Sequence, residues 1–480
     1  MIHIPLGHRT ALRPLSVTMA GDILRLALTS GGRIALQLLL IPALARIVTP
    51  EAFGLMAMAM PIVIFTAILS EAGLVTGLVR ADVEPEAESS AFWFSTAAGV
   101  LGAVVAAALA FPLAWASGQP KAAPLLLALA PCLALSGAAA VPSARLQRQG
   151  EFGALGRVEL VAAALGAAGA LITALLGWNV YSLAAQQLVL AAARLAGGLI
   201  ASGFRPRLKF HIETVRRILG RSSPMLGANL LAYLSRSLDN LLIGLLVGAR
   251  PLGFYSTAYQ VIQIPEYVLG ASARTTALPA IAQAQNRLEG AAAYFASLRL
   301  VAMAGTPIAV GCCLEAGPLV RFVLGPNWAA AAPLAAILAP LGLVWSCFQL
   351  NTAVLAGLGD TRAQIRSSVF TSLMGILGIL TGLHWGVRGV AIGYTLCAAL
   401  SAGPNFFYVL RAFDVPARRA VEPFVQPLAS GAAMVMAIRW WQASSAALAS
   451  PLLELAGAGA IGITAYGVAW MGFALLTLDL

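Results

Sequence analysis

Charged residues are scarce in this chain. Only 10% of its 480 residues are Asp, Glu, Lys or Arg, whereas 60% are hydrophobic and the mean hydropathy is +0.85. Soluble domains carry about 25% charged residues, so this composition excludes a soluble globular protein. It predicts an integral membrane protein instead.

Histidine and cysteine are also few. The chain has four histidines and five cysteines, and no cysteine forms a C-x-x-C pair or has a histidine at metal-ligand spacing. The H-E-x-x-H, G-x-S-x-G and Walker motifs are absent as well. We therefore predict that the protein is not an enzyme and that it holds no metal and no cofactor.

The few charges are mostly basic, with a formal net charge of +11. The arginines separate the apolar runs and do not gather on one domain, which argues against nucleic acid as a partner. Of the 30 lysines and arginines, 21 fall on one predicted side and six on the other, and Arg33, Arg194 and Arg236 fall within spans. The positive-inside rule then predicts that both termini are cytoplasmic.

Apolar stretches long enough to cross a bilayer recur fourteen times, with short connections between them. This pattern predicts an all-α integral membrane protein with about fourteen transmembrane helices. The acidic run at 82–88 is interpreted as a solvated turn after the second span. The predicted spans are 23–48, 53–78, 91–116, 122–142, 157–177, 180–201, 223–247, 252–282, 298–324, 331–357, 364–385, 388–411, 423–446 and 452–477.

A basic linker, 204–221, divides the chain near its middle. A weak internal repeat supports two lobes, because IVTPEAFGLMAMA (47–59) resembles LVGARPLGFYSTA (246–258) and aligns Gly54 with Gly253 at an offset of 199 residues. We predict three parts: an N-terminal six-helix lobe at 1–210, a C-terminal six-helix lobe at 211–421 and two additional helices at 422–480.

Polar residues interrupt the seventh span in the run SRSLDNLLIG. A charge at bilayer depth costs about 2.5 to 17 kcal/mol, so it requires a partner, water or a ligand. Arg236 and Asn240 share one helix face with Asn229 and Tyr233, and Asp239 lies beside that face. We expect this face to point toward a wet, protein-lined interior.

A second polar stripe follows the first span and consists of Asp22, Thr29, Arg33 and Gln37. If the first and seventh spans are equivalent in two lobes, Arg33 and Arg236 face a shared cleft. Guanidinium groups bind phosphate well, so such a cleft favours a phosphate-bearing substrate. The alternative is structural ion pairing of Arg236 with Asp239, and of Arg33 with a neighbour such as Glu71.

The eighth span carries Tyr255, Tyr259 and Glu266 on one face. Aromatic rings suit the apolar faces of sugars, although Tyr255 also fits an aromatic belt at the outer membrane interface. Glu266 and Glu71 are candidate coupling groups, because a buried carboxylate can exchange protons. The sequence leaves open whether H⁺ or Na⁺ drives transport.

The sixth span adds the neutral pair Gln186 and Gln187, with Arg194 two turns on. The run VAAALGAAGA at 161–170 is rich in Gly and Ala, which is typical of closely packed transmembrane helices.

Seven segments in order along the chain carry a family resemblance: ARIVTPEAFGLMAMA (45–59), ILSEAGLVTGLVR (68–80), VPSARLQRQGEFGALGRVEL (141–160), YSLAAQQLV (181–189), YLSRSLDNLLIG (233–244), GFYSTAYQ (253–260) and LVRFVLGPNWAAAAPLAAIL (319–338). Through them the chain resembles the polysaccharide transporter family. These are Wzx-type flippases of lipid-linked oligosaccharides, in the superfamily that also contains the MATE drug exporters. The resemblance implies two six-helix lobes around a central cavity, with two extra C-terminal helices.

The resemblance also implies the cargo and the setting. It implies a bacterial cytoplasmic (inner) membrane protein that moves an undecaprenyl-diphosphate-linked oligosaccharide outward by alternating access, for exopolysaccharide, capsule or O-antigen synthesis. A polysaccharide polymerase and glycosyltransferases are the implied protein partners. Arg236, Asp239 and Asn240 match the family's RxxDN pattern and Gln186 and Gln187 its paired glutamines, but Leu245 stands where many members have a basic residue.

The candidate substrate-binding residues are therefore Arg33, Gln37, Gln186, Gln187, Arg236, Asp239, Asn240 and Tyr259. Two other functions stay open. Another transporter of the same fold would be a MATE-type drug exporter, for which an acidic cavity is expected, or a flippase of the peptidoglycan lipid precursor. A membrane glycan polymerase or ligase would need a long outer loop, and the predicted outer loops are short.

Overall fold

The computed structural model describes residues 17–71, 85–213, 215–216, 230, 233, 237–260, 281, 286–444 and 451–478. All regular secondary structure in these ranges is helical. Each of the fourteen predicted spans overlaps a described helix. Within the described ranges, ten stretches are long and apolar enough to cross a membrane, and one of them, Arg362–Phe413, contains two successive helices.

Six helices form the N-terminal half: α1 (Val17–Ala45), α2 (Pro50–Glu71), α3 (Pro85–Ser117), α4 (Ala122–Arg148), α5 (Phe152–Leu175) and α6 (Val180–Ser202). Helices α3 and α4, and likewise α5 and α6, pack as antiparallel neighbours, and α1 packs against α5. The α5–α6 contact is close at Gly166, where an added Cβ would lie 3.0 Å from the carbonyl oxygen of Gln186. This contact confirms the close packing that the Gly- and Ala-rich run predicted.

The second half and the C-terminal helices are α7 (Ser237–Leu246), α8 (249–260), α9 (Arg287–Leu314), α10 (Ala316–Val323), α11 (Ala332–Gly357), α12 (Thr361–Gly382), α13 (Gly386–Phe413), α14 (Glu422–Ser444) and α15 (Pro451–Leu478). Short 3₁₀ helices occur at Pro326–Ala331, Leu383–Trp385 and Ala417–Ala420.

The predicted span at 298–324 is wrong in its bounds. Helix α9 begins at Arg287, because the Asn286 Oδ1 atom accepts a hydrogen bond from the backbone N–H of Glu289 at 2.9 Å and caps the helix. The helix ends at Leu314, and Glu315 separates it from α10. The apolar run continues across this break, so hydropathy alone does not show where the helix stops.

The interpretation of 82–88 as a solvated turn is wrong at Glu88. Helix α3 already begins at Pro85, and the Glu88 side chain is buried. It pairs with Arg145 at 3.1 Å and also with Arg148, both on α4. Two arginines one turn apart compensate the cost of burying this carboxylate.

The basic linker after α6 lies against the start of α3. The Trp93 indole N–H donates to the carbonyl oxygen of Arg207 at 2.9 Å. The hydroxyl groups of Ser89 and Ser90 accept backbone hydrogen bonds from Arg207 and His211, at 3.1 and 3.0 Å. The first part of the linker is therefore held by the N-terminal half.

The two halves meet where α2 crosses α8. An added Cβ at Gly54 would lie 1.7 Å from the carbonyl oxygen of Ala249, and one at Gly253 would lie 1.9 Å from that of Pro50. Glycine is required at both positions because the backbones touch. The repeat offset of 199 also relates Pro50 to Ala249, so the two contacts are equivalent, as expected for a pseudo-two-fold interface.

Trp328 lies beside this crossing and is fully buried. Its ring contacts Phe53 on α2 and Phe254 on α8, edge to face, with centroids 5.2 and 5.9 Å apart. Its indole N–H donates to the carbonyl oxygen of Ala45, at the end of α1, at 2.7 Å. These contacts join both halves at the predicted outer side.

Helices α14 and α15 pack against α9. Arg299 on α9 bonds to Gln426 on α14 and lies 5.5 Å from the ring centroid of Trp470 on α15. The Gln426 side-chain amide donates to the carbonyl oxygen of Trp470 at 3.0 Å, and the Tyr466 hydroxyl donates to that of Met303 at 2.9 Å. The two additional helices are thus anchored by specific polar contacts.

Candidate functional site

Arg33 lies in a three-residue charged cluster with Glu159 on α5 and Arg194 on α6. Its Nη1 atom is 3.4 Å from the Glu159 Oε2 atom. The Arg194 Nε and Nη2 atoms are 3.0 and 2.5 Å from that same oxygen. The cluster therefore holds one carboxylate between two guanidinium groups and has a net charge of +1.

The cluster lies at bilayer depth. Arg33 is about 18 Å along α1 from Ala45, while Glu159 and Arg194 are about 10 to 12 Å from the opposite, predicted cytoplasmic ends of their helices. The side chains of Arg33, Arg194 and Glu159 are 47%, 38% and 25% exposed. Charges exposed at this depth require water or a polar ligand beside them, so we infer that the cluster faces a wet opening.

Arg33 has a partner that was not predicted from the sequence. Among the described side chains, it pairs with Glu159, and the suggested pairing with Glu71 stays a prediction because the Glu71 side chain lies outside the described residues. A signal for the Glu159–Arg194 pair is present in the sequence: the two lie 18 residues before and 17 residues after Gly177, in the α5–α6 turn. Their nearly equal distances from the turn place them at about the same depth in a helical hairpin.

Other predicted residues extend the polar surface around the cluster. Gln37 is exposed on α1, one turn from Arg33. Gln186 and Gln187 are partly buried on α6, and Gln187 lies two turns from Arg194 on the same face. Arginines and neutral amides therefore line neighbouring positions on α1 and α6.

Asp239 lies in a second, closed cluster on the predicted outer side. It is only 5% exposed, and its carboxylate accepts hydrogen bonds from the backbone N–H of Asn240 at 2.7 Å and the Tyr255 hydroxyl at 3.3 Å. The Tyr255 ring stacks on that of Tyr259, with centroids 6.1 Å apart, and Tyr259 contacts Tyr394 on α13 at 6.3 Å. Asp239 thus lies behind a group of aromatic rings.

This cluster corrects one expectation for the eighth span and confirms another. The aromatic-belt alternative is wrong for Tyr255, which is fully buried because its hydroxyl has a carboxylate partner inside the protein. The prediction that Tyr255 and Tyr259 share a face is confirmed by their stacked rings. Asn240 is partly buried on α7.

Three candidate groups lie outside the described residues: Arg236, Glu266 and the side chain of Glu71. The Arg236–Asp239 ion pair, the cleft shared by Arg33 and Arg236, and both coupling carboxylates therefore stay predictions.

The second half also contains a buried neutral network that was not predicted from the sequence. The Tyr294 hydroxyl donates to the Asn351 Oδ1 atom at 2.8 Å, and the Asn351 Nδ2 atom donates to the Asn405 Oδ1 atom at 2.6 Å. The Asn405 Nδ2 atom donates in turn to the Ser367 hydroxyl at 2.7 Å. This network joins α9, α11, α12 and α13, and all four side chains are buried.

The chain is similar to known proteins of polysaccharide biosynthesis. A family model described as "Polysaccharide biosynthesis protein" matches residues 43–333. The succinoglycan biosynthesis transport protein ExoT of Rhizobium meliloti (strain 1021) is 27% identical over 450 residues, which cover 92% of this chain and 90% of that protein. The lipopolysaccharide biosynthesis protein WzxC of Escherichia coli (strain K12) is 23% identical over 383 residues, 79% and 78% of the two chains.

Solved structures show the same fold. The lipid II flippase MurJ, in an inward closed conformation, matches with a TM-score of 0.77 at 15% identity, covering 95% of this chain and 100% of that one. An inward-facing multidrug resistance MATE family transporter of the MOP superfamily matches with a TM-score of 0.61 at 17% identity, covering 82% and 98%. The predicted all-α, MATE-like membrane fold is confirmed.

Proposed function

Because the chain belongs to the polysaccharide biosynthesis protein family, we propose that it is a flippase for lipid-linked oligosaccharides. Its cargo is an undecaprenyl-diphosphate-linked repeat unit, moved across the bacterial cytoplasmic membrane for exopolysaccharide, capsule or O-antigen synthesis. Both termini lie in the cytoplasm, and a polysaccharide polymerase and glycosyltransferases work beside it. The observation that carries this proposal is the accessible Arg33–Glu159–Arg194 cluster at bilayer depth.

The Arg33–Glu159–Arg194 cluster suits the diphosphate group of the proposed cargo. The negative charge of that group does not cross hydrocarbon without compensation, and guanidinium groups replace its water by charge-assisted hydrogen bonds. Arg194 holds Glu159 through two N–H groups, whereas Arg33 makes one longer contact. In this proposal Arg194 positions the carboxylate, and Arg33 exchanges it for a phosphate oxygen.

The sugar part of the cargo has many hydroxyl groups and apolar ring faces. Gln37, Gln186, Gln187 and Asn240 supply amides for the hydroxyls, and Tyr259 supplies a ring for stacking. Arg236 and Asp239 complete the proposed binding surface on the seventh span.

Alternating access supplies the movement, with the two six-helix lobes as the moving parts. The α2–α8 crossing closes the predicted outer side, and outward release of the cargo requires these helices to separate. Separation would also bring water to Asp239. Glu71 and Glu266 are the proposed coupling carboxylates, with H⁺ or Na⁺ as the ion.

The other functions fit these observations less well. A site with two arginines around one carboxylate repels cationic drugs, whereas it suits the peptidoglycan lipid precursor, which makes that cargo the second candidate. The described outer connections at 46–49, 118–121 and 176–179 have four residues each. Such connections are too short for the catalytic loop of a polymerase or ligase.

The decisive experiment follows lipid-linked sugar on the inner leaflet of cells whose only flippase is the variant. We expect Arg33→Gln and Arg236→Ala each to cause accumulation there and loss of exported polysaccharide. Arg157→Gln is the matched control, since Arg157 is exposed on α5 two residues from Glu159 but outside the cluster. Normal export by both variants at normal expression would contradict the proposed phosphate site.

A further inference from the structure

Four arginines of the second half converge on one cavity of about 790 Å³. Arg287 comes from the start of α9, Arg362 and Arg366 from the first turns of α12, and Arg411 from the end of α13. None of the predicted cargo-binding residues that the structure describes lines this cavity. It therefore needs an explanation of its own.

The cavity is strongly positive. Among the described residues, none of the four guanidinium groups makes an ion pair, and all four residues are exposed. The one acidic residue among the described lining residues, Asp360, caps α12 by accepting a hydrogen bond from the backbone N–H of Ala363 at 3.0 Å. Like charges brought together at such a cavity repel one another unless an anion lies between them.

The position of the arginines on this side has a general explanation, but their grouping does not. The positive-inside rule accounts for arginines at the predicted cytoplasmic ends of helices. It does not require three helices to direct four of them to one cavity. Arg418 and Arg419, in the nearby 3₁₀ helix on the same side, do not line it.

The remaining lining residues indicate the class of ligand. Leu358, Phe413 and Tyr408 supply apolar and aromatic walls. A basic pocket between transmembrane helices at the cytoplasmic membrane surface suits an anionic lipid headgroup.

We propose that this cavity binds a phosphate-bearing anion. Its source is either the headgroup of an anionic lipid in the inner leaflet or a soluble phosphate compound. The site lies apart from the described cargo residues, and the proposal does not depend on flippase activity.

The test measures binding to the purified full-length chain by thermal unfolding. One arm adds phosphatidylglycerol to detergent micelles, with phosphatidylcholine as the neutral comparison, and a second arm adds inorganic pyrophosphate. We expect one of these anions to raise the melting temperature of the wild type. Arg362→Gln with Arg366→Gln should weaken its apparent affinity by roughly tenfold or more, since two charge-assisted hydrogen bonds are lost.

A matched control separates the cavity from general surface charge. Arg418→Gln with Arg419→Gln removes the same charge from the same side outside the cavity, and should bind the anion as the wild type does. Single Arg287→Gln and Arg411→Gln variants test the other two helices.

An effect of phosphatidylglycerol alone assigns the lipid source, and an effect of pyrophosphate alone assigns the soluble one. Equal binding by the wild type and all cavity variants, or an equal loss in the control, would overturn the proposal.

Discussion

Polar side chains lie at bilayer depth in both halves of the chain, but their chemistry differs. In the N-terminal half the Arg33–Glu159–Arg194 cluster is charged, and its side chains are 25% to 47% exposed. In the second half the network around Asn351 and Asn405 is neutral, and these residues are 0% and 4% exposed. Burial of a neutral, fully bonded network serves packing, whereas we propose that the accessible charged cluster serves a ligand.

The largest expected effect is a loss of stability when the neutral network of the second half is disrupted. Asn351→Leu leaves the polar groups of Tyr294 and Asn405 without their buried partner. Each unsatisfied group costs about 1 to 3 kcal/mol, so we expect a large fall in the melting temperature. Export per folded molecule should stay near normal. Thermal unfolding in detergent and export normalised to folded protein measure the two quantities, and the opposite pattern would contradict a structural role.

The next effect is on transport in the first half. Arg194→Ala removes both N–H groups that hold Glu159 and leaves the carboxylate to Arg33. We expect export to fall roughly tenfold or more, because a charge-assisted contact worth about 1.5 to 3 kcal/mol is lost. The melting temperature should change little, since the side chain is partly exposed. Arg157→Gln is the control here too, and a purely structural cluster would instead lose stability.

A smaller effect is expected when the acid is removed. Glu159→Gln frees both guanidinium groups from their shared carboxylate. A pyrophosphate probe should then protect Arg33 and Arg194 from guanidinium-modifying reagents at lower concentration than in the wild type. Export should slow, because the phosphate is released less readily. Unchanged protection would show that Glu159 does not compete with phosphate.

The smallest effect concerns the closed cluster on the predicted outer side. Tyr255→Phe removes one hydrogen bond, 3.3 Å long, to the buried Asp239. We expect a loss of about 1 kcal/mol in the free energy of unfolding. Chemical unfolding in detergent measures this loss, and an unchanged free energy of unfolding in Tyr255→Phe would show that the Asp239 contact does not stabilise the fold.

The fold was largely predictable from the sequence, because one strong signal repeats. Every apolar run of bilayer length contains a described helix, since a chain in hydrocarbon must satisfy its backbone internally. The predicted bounds of helices were wrong where a single polar residue decides the local structure, as Asn286 and Glu88 do. The Gly54–Gly253 repeat was visible, but its meaning as a contact between the halves required three dimensions.

The candidate site was only partly predictable. Arg33 and Asp239 stand out, because charge is rare in apolar runs. Glu159 does not stand out in the sequence, since an acidic residue near the end of a helix is normally solvated. Asn351 and Asn405 are single neutral residues in long spans, and only tertiary packing shows that they meet.

The α2–α8 crossing has one more consequence. Its two backbone contacts, Gly54 with Ala249 and Gly253 with Pro50, are copies of each other under the internal repeat. A separation of the halves that keeps this symmetry therefore lengthens both contacts by the same amount. We expect the outer end to open in a single cooperative step, because neither contact can be lost while its copy is kept.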